Sequence, residues 1–557
     1  MKNKLFFNIT FFLFLIFNLN AIRMCAEWEP ALGTLIRYPL GIPIELVVEL
    51  AEDDLVYTLV ENYDQQASVE QYYEDNGVNV ENCEWIYAET YSHWTRDWGP
   101  QMRFNNEGEL QVVDPMFDGY PWVPGDGNRD WSIDDAVNQL FANQMGFTNI
   151  AFPGYLTGGN VMYDGHGTAF STQQMLDENY PMLSNDEFFN YAEEILGVDQ
   201  YYITPNIESY GIQHIDCAAK LLDEETILVK QLPESHPDYD RIENFAQAIE
   251  DYETCYRRPY DIIRIYCGIY NETDMLAAAY TNSLILNDKV LVPLFGIDSD
   301  EDAIRVYEEA MPGYEIVGFE YGYWYHYDAL HCRTRGVFDE NMLYLSHKPL
   351  TDEVGELDYY HLSVYIDDRS ETGLVDEALK VNWKTEDNDE WTTIPLTAAA
   401  EENRYFADIP NPGVGETIHY YIVAADNSGR QETLPRTAPD WFFESLVVEN
   451  TNTEDYDLKN ELTVNLFPNP LRLSDNSTKL NLELFAANKL NEQSLRFDVY
   501  DIKGKKVFTK IININERMNN DVVIDLKRNH ISSGIYLYKL ENKKNKILNS
   551  GKLMIIK

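Results

Sequence analysis

Four short segments of the chain hold reactive side chains in unusual groupings. They are SHWTRDWGP at 92–100, GIQHIDC at 211–217, YTNSLILNDKVLVP at 280–293 and DALHCRT at 328–334. The side chains in them that could do chemistry include those of Trp94, Asp97, His214, Asp216, Asn282 and Cys332. A thiol, an imidazole and two carboxylates are the groups that covalent hydrolysis of a cationic substrate requires.

A guanidinium group fits this set of side chains. The group is planar and permanently cationic, and its N–H donors form a fork that carboxylates meet in bidentate fashion. Asp97 and Asp216 could therefore hold it from two edges, and Trp94 could stack on its face. Cys332 would supply the nucleophile for the central carbon. His214 could protonate the departing ammonia and later activate water.

Each of these residues also has an ordinary structural interpretation. A cysteine in an exported protein is more often bridged than catalytic, and the six cysteines of the chain allow about 15 pairings. An H-x-D triplet is more often a hydrogen-bonded core pair, although on a strand His214 and Asp216 would share one face. On a strand His331 would point away from Cys332, so we expect it to support the site rather than transfer protons.

Taken together and in order, the segments resemble the agmatine deiminase and bacterial peptidylarginine deiminase family of guanidine-modifying enzymes. WTRDWGP resembles the first acidic motif of that family, HID its histidine and second aspartate, and the HC dipeptide its nucleophile. The resemblance implies that Cys332 is the nucleophile and His214 the general acid and base. It implies that Asp97 and Asp216 are the carboxylates that bind the guanidinium group.

The resemblance extends to the fold and to further residues. It spans about residues 30–345 and implies a five-bladed α/β propeller of the pentein superfamily, with no required cofactor and no metal. LTGGNVMYDGHG at 156–167 resembles the Gly-Gly-Asn loop of the family, so Asn160 joins Trp94 and Asn282 as a candidate substrate-binding residue.

Agreement along the whole chain points to the peptidylarginine deiminase branch. The implied reaction converts peptidyl-arginine to peptidyl-citrulline and ammonia through a thiouronium intermediate on Cys332. Agmatine or free arginine is the alternative substrate. One stretch departs from the family: VDPMFDGYPW at 113–122 has Gly119 and Pro121 where arginines would read a C-terminal carboxylate. Preference for a C-terminal arginine is therefore not expected.

Alternating strand and helix patterns predict that the catalytic region, 28–350, is of the α/β class. The predicted strands are LIRYP, VYTLV, VLVPLF and MLYLS. The predicted helices are SVEQYYEDNGV, SIDDAVNQLFANQMG, RIENFAQAIEDYE and DAIRVYEEAMPGY. From 355 to 447 short aromatic and β-branched runs predict an all-β immunoglobulin-like domain.

The C-terminal part of the chain differs in charge and in kind. A polar linker is expected at 448–459, and an all-β module at 460–557. Residues 456–557 contain 18 Lys and Arg against 11 Asp and Glu, whereas the whole chain carries a charge of −52. The FPNP opening at 467–470, the VYDIKGKKV hairpin and the SSGIYLYKL strand resemble the sorting domain of the type IX secretion system.

The ends of the chain indicate export. Residues 1–21 combine a basic start with a short apolar stretch, which is typical of a secretory signal peptide. With the sorting domain, this predicts passage by the type IX secretion machinery to the medium or to the outer-membrane surface. The strongly acidic composition would repel nucleic acid, so the expected partners are arginine-containing peptides, proteins or small guanidino compounds.

Other functions remain open at this point. Amidino transfer would use the same motifs, but an exported enzyme lacks an obvious amine co-substrate. A metal-dependent hydrolase could use His214, Asp216 and His331 as ligands, and chelator sensitivity would identify it. A non-catalytic surface protein, with the sandwich as its adhesive module, would tolerate substitution of Cys332.

Overall fold

The computed structural model describes residues 22–123 and 129–449, and beyond them the strands of the C-terminal part with one adjoining residue. These last described residues are 463–467, 471–472, 479–485, 494–501, 505–513, 519–525, 534–541 and 547–556. The predicted signal peptide, most of the predicted linker and the last three residues of FPNP lie outside the described residues. In the part of the chain that is described, no helix combines the length and apolar character needed to cross a membrane.

Strands and helices alternate in the first part of the chain. The strands are β1 Arg23–Met24, β2 Ala31–Arg37, β3 Leu55–Val60, β4 Cys83–Tyr87, β5 Gln101–Phe104, β6 Leu110–Met116, β7 Thr148–Tyr155, β8 Met162–Tyr163, β9 Thr168–Thr172, β10 Gln200–Thr204, β11 Ala219–Leu221, β12 Thr226–Gln231, β13 Asp261–Tyr266, β14 Ile269–Asn271, β15 Leu276–Ala277, β16 Leu284–Leu286, β17 Lys289–Leu294, β18 Glu315–Glu320, β19 Arg335–Phe338 and β20 Leu343–His347. The helices are α1 Ile44–Asp53, α2 Tyr63–Asp75, α3 Thr95–Trp98, α4 Ser132–Asp135, α5 Val137–Met145, α6 Gln174–Asn179, α7 Asn185–Tyr191, α8 Tyr239–Glu250 and α9 Ser299–Ala310.

Five sheets of the described region share one pairing pattern. In each, a short strand pairs antiparallel with a second strand, and the second pairs in parallel with a third. The triplets are β19-β2-β3, β5-β6-β7, β8-β9-β10, β11-β12-β13 and β16-β17-β18, which we call units 1 to 5. Parallel neighbours need a crossover connection, and at least one helix lies between the parallel strands of every unit.

Local sequence explains how each unit holds together. In unit 4, α8 buries Ile242, Phe245, Ala246 and Ile249, which recur at helical spacing on one face. They pack in one apolar cluster with Ile227, Leu228 and Val229 of β12, which are 0% exposed. The last strand of the region, β19, pairs with β2, so the end of the region joins its beginning.

A region of strands only follows. It contains β20 and then β21 Glu353–Gly355, β22 Tyr359–Asp368, β23 Lys380–Thr385, β24 Thr392–Pro395, β25 Thr397–Ala398, β26 Arg404–Pro410, β27 Thr417–Ala425, β28 Gln431–Leu434 and β29 Phe443–Val448. One sheet has the order β20-β22-β26-β25, and the other has the order β21-β29-β27-β23-β24 with β28 beside β27. Buried side chains of both sheets, including Leu362 and Ile418, form one apolar cluster.

Two pairings lie near the ends of the α/β region predicted at 28–350. Arg23 and Met24 pair with β5 of unit 2. Strand β20, Leu343–His347, pairs with β22 of the following sheet. The bounds 28–350 stay a prediction.

The C-terminal part is also made of strands. They are β30 Thr463–Phe467, β31 Leu471–Arg472, β32 Lys479–Phe485, β33 Ser494–Asp501, β34 Lys506–Asn513, β35 Asn519–Asp525, β36 Gly534–Glu541 and β37 Ile547–Ile556. They form the sheets β30-β32-β35 and β31-β37-β36-β33-β34. The antiparallel pair β33-β34 is the hairpin predicted from VYDIKGKKV. The predicted strands are confirmed, and the predicted helices are helical with ends that differ by a few residues, although SIDDAVNQLFANQMG is divided into α4 and α5.

Candidate active site

Each unit contributes one tight turn to a common site. In every unit this turn directly precedes the first, antiparallel strand. The turns are α3 before β5, 158–160 before β8, 215–217 before β11, 279–282 before β16 and 331–333 before β19. The segments singled out in the sequence therefore meet although they are far apart along the chain.

Cys332 lies in the buried single turn 331–333 and is 1% exposed. Its backbone N–H donates to Oδ1 of Asn282 at 3.2 Å, and the Asn282 amide donates to its sulfur at 3.2 Å. Asn282 thus fixes both the turn and the thiol. Burial raises the pKa of the Cys332 thiol to about 12, and the charge of Asp216 adds to this effect. The thiolate needs a nearby positive charge to form at neutral pH.

Asp216 is held from two sides. Nδ1 of His331 lies 2.8 Å from its Oδ2, and the thiol of Cys217 lies 3.3 Å from its Oδ1. The Cys332 sulfur is 3.7 Å from the same Oδ2. Burial alone would raise the pKa of Asp216, but the hydrogen bond and charge of His331 hold it below its usual value. The carboxylate is therefore ionised and faces the nucleophile.

Neither HID nor HC lies on a strand, the arrangement for which their side-chain directions were considered above. His214 directly precedes a single turn of 3-10 helix, Ile215–Cys217, and His331 and Cys332 lie in another. In a 3-10 helix, which has three residues per turn, neighbouring side chains do not point in opposite directions as they do on a strand. His331 accordingly reaches the site, where its Nδ1 lies beside Asp216, and its supporting role stays a prediction.

His214 and Asp97 form a second buried pair. Nδ1 of His214 is 3.4 Å from Oδ1 of Asp97. Burial lowers the pKa of His214, but the charges of Asp97, Asp216 and Glu178 outweigh it and raise the pKa above its usual value. Among the described residues neither ring nitrogen of His214 has a hydrogen-bond partner. Nδ1 nevertheless faces Asp97, so Nε2 is the ring nitrogen that stays available to a bound molecule.

Gly159 explains why the turn of unit 3 contains glycine. Its backbone N–H donates to Oδ1 of Asp97 at 3.1 Å. A Cβ atom there would lie 2.6 Å from Asp97 Oδ1, 2.7 Å from His214 Nδ1 and 3.2 Å from Asp216 Oδ2. Any larger residue would collide with the two acids and the imidazole. Gly159 thus marks the point on which these three side chains converge.

Asn160 braces the same turn. Its side-chain oxygen accepts from the N–H of Ile215 at 3.2 Å and from the N–H of Thr172 at 3.1 Å. It is 1% exposed, so it ties the turn of unit 3 to that of unit 4. We interpret it as a residue that positions His214 and Asp216. Its side-chain nitrogen has no hydrogen-bond partner among the described residues, and the substrate-binding role predicted for Asn160 stays a prediction.

Aromatic side chains form one wall beside Asp97. The hydroxyl of Tyr120 donates to Oδ2 of Asp97. The ring centroid of Trp94 lies 5.4 Å from that of Tyr120, in an edge-on arrangement, and 5.9 Å from that of Trp131. Tyr120 was not predicted as a site residue. It lies within VDPMFDGYPW, between Gly119 and Pro121, where an aromatic residue is as typical of packing as of a site. Trp94 is partly exposed and stays a candidate for stacking.

A buried group of charges lies behind Asp216. Glu27 accepts from Nε2 of His331 at 2.7 Å, and it is also bonded to Lys220. Arg96 lies 3.5 Å from the same carboxylate. Although burial would raise the pKa of Glu27, the charges of His331, Lys220 and Arg96 hold it well below its usual value. No local pattern marked Glu27, since its partners are about 70 to 300 residues away along the chain.

Two further acidic side chains lie near the site. Burial raises the pKa of Glu178 to about 8, and its Oε2 lies 3.5 Å from the hydroxyl of Thr157. Asp118 accepts from the hydroxyl of Tyr155 at 2.8 Å. Arg103, the cation close to this stretch in sequence, is engaged by Gln111 at 2.9 Å and by the carbonyl of Ile195.

The potential metal ligands that converge are not those expected for a metal-dependent hydrolase. In the described ranges, the group whose ligand atoms lie within 4.8 Å of one another consists of Asp216, Cys217 and Cys332. His214 is outside it, and His331 directs its ring nitrogens to two carboxylates. The arrangement is that of a thiol beside acids rather than a histidine-rich centre.

Comparison with known proteins assigns two parts of the chain. A model of the Porphyromonas-type peptidyl-arginine deiminase family matches residues 23–337. A model of the secretion system C-terminal sorting domain matches residues 465–557. Among known proteins, one described as "Putative agmatine deiminase" from Shewanella frigidimarina is 28% identical over 251 residues, which cover 40% of this chain and 67% of the relative.

Solved structures show the same fold. A "putative peptidyl-arginine deiminase" superimposes with a TM-score of 0.51 and 21% identity, over 57% of this chain and 99% of its own. The agmatine deiminase of Enterococcus faecalis gives a TM-score of 0.51 and 19% identity, over 57% and 96% of the two chains. The first part of the chain therefore has an α/β pentein-like fold, followed by a β-rich region.

Proposed function

Since this chain belongs to the Porphyromonas-type peptidyl-arginine deiminase family and is a deiminase that hydrolyses amidines, we propose that it converts peptidyl-arginine to peptidyl-citrulline. One observation carries the proposal. Cys332, His214, Asp97 and Asp216 come from three separate turns and are each at most 2% exposed. Asp97, His214 and Asp216 converge at Gly159, and the Cys332 sulfur lies 3.7 Å from Oδ2 of Asp216.

Binding would place the guanidinium group between the two acids. Asp97 and Asp216 each offer carboxylate oxygens to the N–H fork, and both are held by other side chains in advance. Such preorganisation means that little rotational freedom is lost when the substrate binds. The cation also lies beside Cys332, where it favours loss of the thiol proton.

The reaction then follows from the positions of the groups. The Cys332 thiolate attacks the guanidinium carbon, and the tetrahedral adduct collapses with release of ammonia that takes its proton from His214. A thiouronium remains on the sulfur. His214 accepts a proton from water, which attacks the same carbon. The bond to sulfur breaks, the hydroxyl proton of the adduct passes to solvent, and a ureido group remains. One water is consumed, and the ammonia released takes up one proton from solvent as ammonium.

Other residues would position these groups. Asn282 holds the turn of Cys332, and Asn160 holds the turn of His214 and Asp216. Trp94 would cover one face of the bound cation. Peptide or protein arginine is the leading substrate, and agmatine or free arginine is the second candidate. No cofactor enters any of these steps.

We also propose the finer architecture and the route of export. The five units, with β19 closing onto β2, are consistent with a five-bladed propeller. The two-sheet region around 355–447 is proposed as an immunoglobulin-like domain. The sorting domain suggests export through the type IX secretion machinery, and a signal peptide at 1–21 would begin that route.

The test is a colorimetric citrulline assay. Purified protein is incubated with an internal-arginine peptide, agmatine and free arginine, with and without a chelator. We expect the peptide to yield peptidyl-citrulline and an equimolar amount of ammonia, with or without the chelator. Cys332→Ala should yield neither product. Chelator-sensitive turnover would favour the metal-dependent alternative. Full activity of Cys332→Ala would contradict the covalent mechanism.

A further inference from the structure

A second thiol lies beside the proposed nucleophile. The sulfurs of Cys217 and Cys332 and a carboxylate oxygen of Asp216 are all within 4.8 Å of one another. The amide of Asn282 lies 3.2 Å from the Cys332 sulfur and 3.8 Å from the Cys217 sulfur. One donor thus faces both thiols. The two residues are 115 positions apart, and each is 1% exposed.

The thiol pair is within reach of a disulfide bond. A disulfide joins its sulfurs at about 2.05 Å, and side-chain rotation can close a gap of a few ångströms when the β-carbons face each other. Both residues lie in single helical turns that meet at Asn282, so the sulfurs point to a common place. All six cysteines are free in this structure, so neither thiol is committed to another partner.

Cys217 also borders a cavity that the proposed reaction does not use. The cavity has a volume of about 250 Å³ and is lined by Cys217, Lys230 and Tyr327 among others. Tyr210 and Tyr325 lie at its outer side and are 59% and 39% exposed. A molecule of a few atoms could therefore approach Cys217 from this cavity, and the Cys332 sulfur lies within 4.8 Å of the Cys217 sulfur.

We propose that Cys217 and Cys332 form an oxidation site, at which a small disulfide converts the two thiols into an internal disulfide. This rests on the proposed function to the extent that Cys332 is the reactive thiolate. Its sulfur attacks one sulfur of the small disulfide, RSSR, and one thiolate leaves. The Cys217 sulfur, having lost its proton to that thiolate or to water, then attacks the Cys332 sulfur and expels the second. Two protein thiols and one RSSR become one protein disulfide and two RSH.

The consequence is a reversible loss of the nucleophile. Cys332 in a disulfide cannot attack a guanidinium carbon, and a dithiol would restore it by the reverse exchange. The internal bond would also prevent stable capture of Cys332 by bulky thiols, because Cys217 resolves the mixed disulfide. Since burial raises the pKa of Cys332, oxidation should be faster at alkaline pH.

The experiment uses the reduced full-length protein and 2-hydroxyethyl disulfide, with a chelator present throughout. We expect the intact mass to fall by two hydrogens and peptide mapping to show Cys217 joined to Cys332. Deimination should fall at least about ten-fold and return with dithiothreitol. A stable adduct on Cys332 in the wild type, or a disulfide between other cysteines, would overturn the proposal.

Two variants sharpen the result. Cys217→Ser should stop at the mixed disulfide on Cys332, whereas Cys255→Ser, which alters a partly exposed cysteine elsewhere, should form the internal bond like the wild type. If Cys255→Ser does not form the disulfide between Cys217 and Cys332, the proposal is contradicted. If Cys217→Ser does not fold, mapping of the wild type decides alone. Mapping needs no turnover, so a formed disulfide in an inactive protein would refute only the proposed function.

Discussion

Nδ1 of His214 lies 3.4 Å from Oδ1 of Asp97, and both side chains are buried. The pair couples the proposed proton donor to one of the two proposed guanidinium-binding acids. Burial opposes the imidazolium form, and the neighbouring carboxylates more than offset it. The protonation of His214 therefore depends on the charge of Asp97.

This coupling predicts a pH effect. A raised pKa keeps His214 protonated to higher pH, so activity that needs the imidazolium should fall as pH rises through that pKa. In Asp97→Asn the main raising charge is absent, and the alkaline limb of kcat/KM should move to lower pH. The measurement is a pH profile of kcat/KM for both proteins, which reports the free enzyme. If the alkaline limb of Asp97→Asn lies at the same pH as that of the wild type, the protonation of His214 does not depend on Asp97.

The two acids should also affect the rate. Asp97→Asn and Asp216→Asn each replace a charge-assisted contact with a neutral one, worth about 1.5–3 kcal/mol, so kcat/KM should fall about 10- to 150-fold. Steady-state kinetics on an arginine peptide measure this. Asp64→Asn, on an exposed helix, is the matched control and should behave as the wild type. If either acid variant has the kcat/KM of the wild type, the replaced residue does not bind the guanidinium group.

The thiol of Cys332 should be detectable by its reactivity. Iodoacetamide should label Cys332 and inactivate the enzyme, and saturating substrate should protect it. Because burial raises the pKa of this thiol to about 12, labelling of the free enzyme should accelerate through pH 9 without a plateau. Peptide mapping against time gives the rate, with Cys332→Ala as the blank. A plateau near neutral pH would mean that the free enzyme already holds a thiolate.

The charges near the site predict which arginine substrates the enzyme accepts. Asp118 is exposed, and Arg103 is engaged by Gln111. The Asp118 carboxylate disfavours a free carboxylate on the substrate, so the enzyme should accept internal arginine, arginine amides or agmatine at least as well as C-terminal arginine. A peptide ending in free arginine is compared with its amide. A ten-fold preference for the free acid, about 1.4 kcal/mol, would contradict this.

The C-terminal module should be separable from catalysis. Deletion of 456–557 should leave kcat/KM of the purified protein within about two-fold of the full chain, because the module differs in charge and follows a polar linker. The same deletion should hold the protein in the periplasm. Fractionation of cells and medium measures this, and normal amounts of truncated protein in the medium would argue against the sorting assignment.

The sequence by itself determined the chemistry and the local elements. The types and order of Asp97, His214, Asp216 and Cys332 indicate a guanidine-modifying thiol enzyme, because few residue types can bind a cation and attack it. Hydrophobic periodicity located the strands and helices, since a side chain's place on one element depends on neighbours within a few residues.

Only the tertiary structure decided which residues meet across turns. His331 faces Asp216 and Glu27 because HC lies in a turn rather than a strand, and Glu27 is 304 positions away. The pairing of Cys217 with Cys332 likewise depends on turns of two units that meet in space. A pattern along one strand or helix carries no information about such contacts, because they arise from packing of the whole fold.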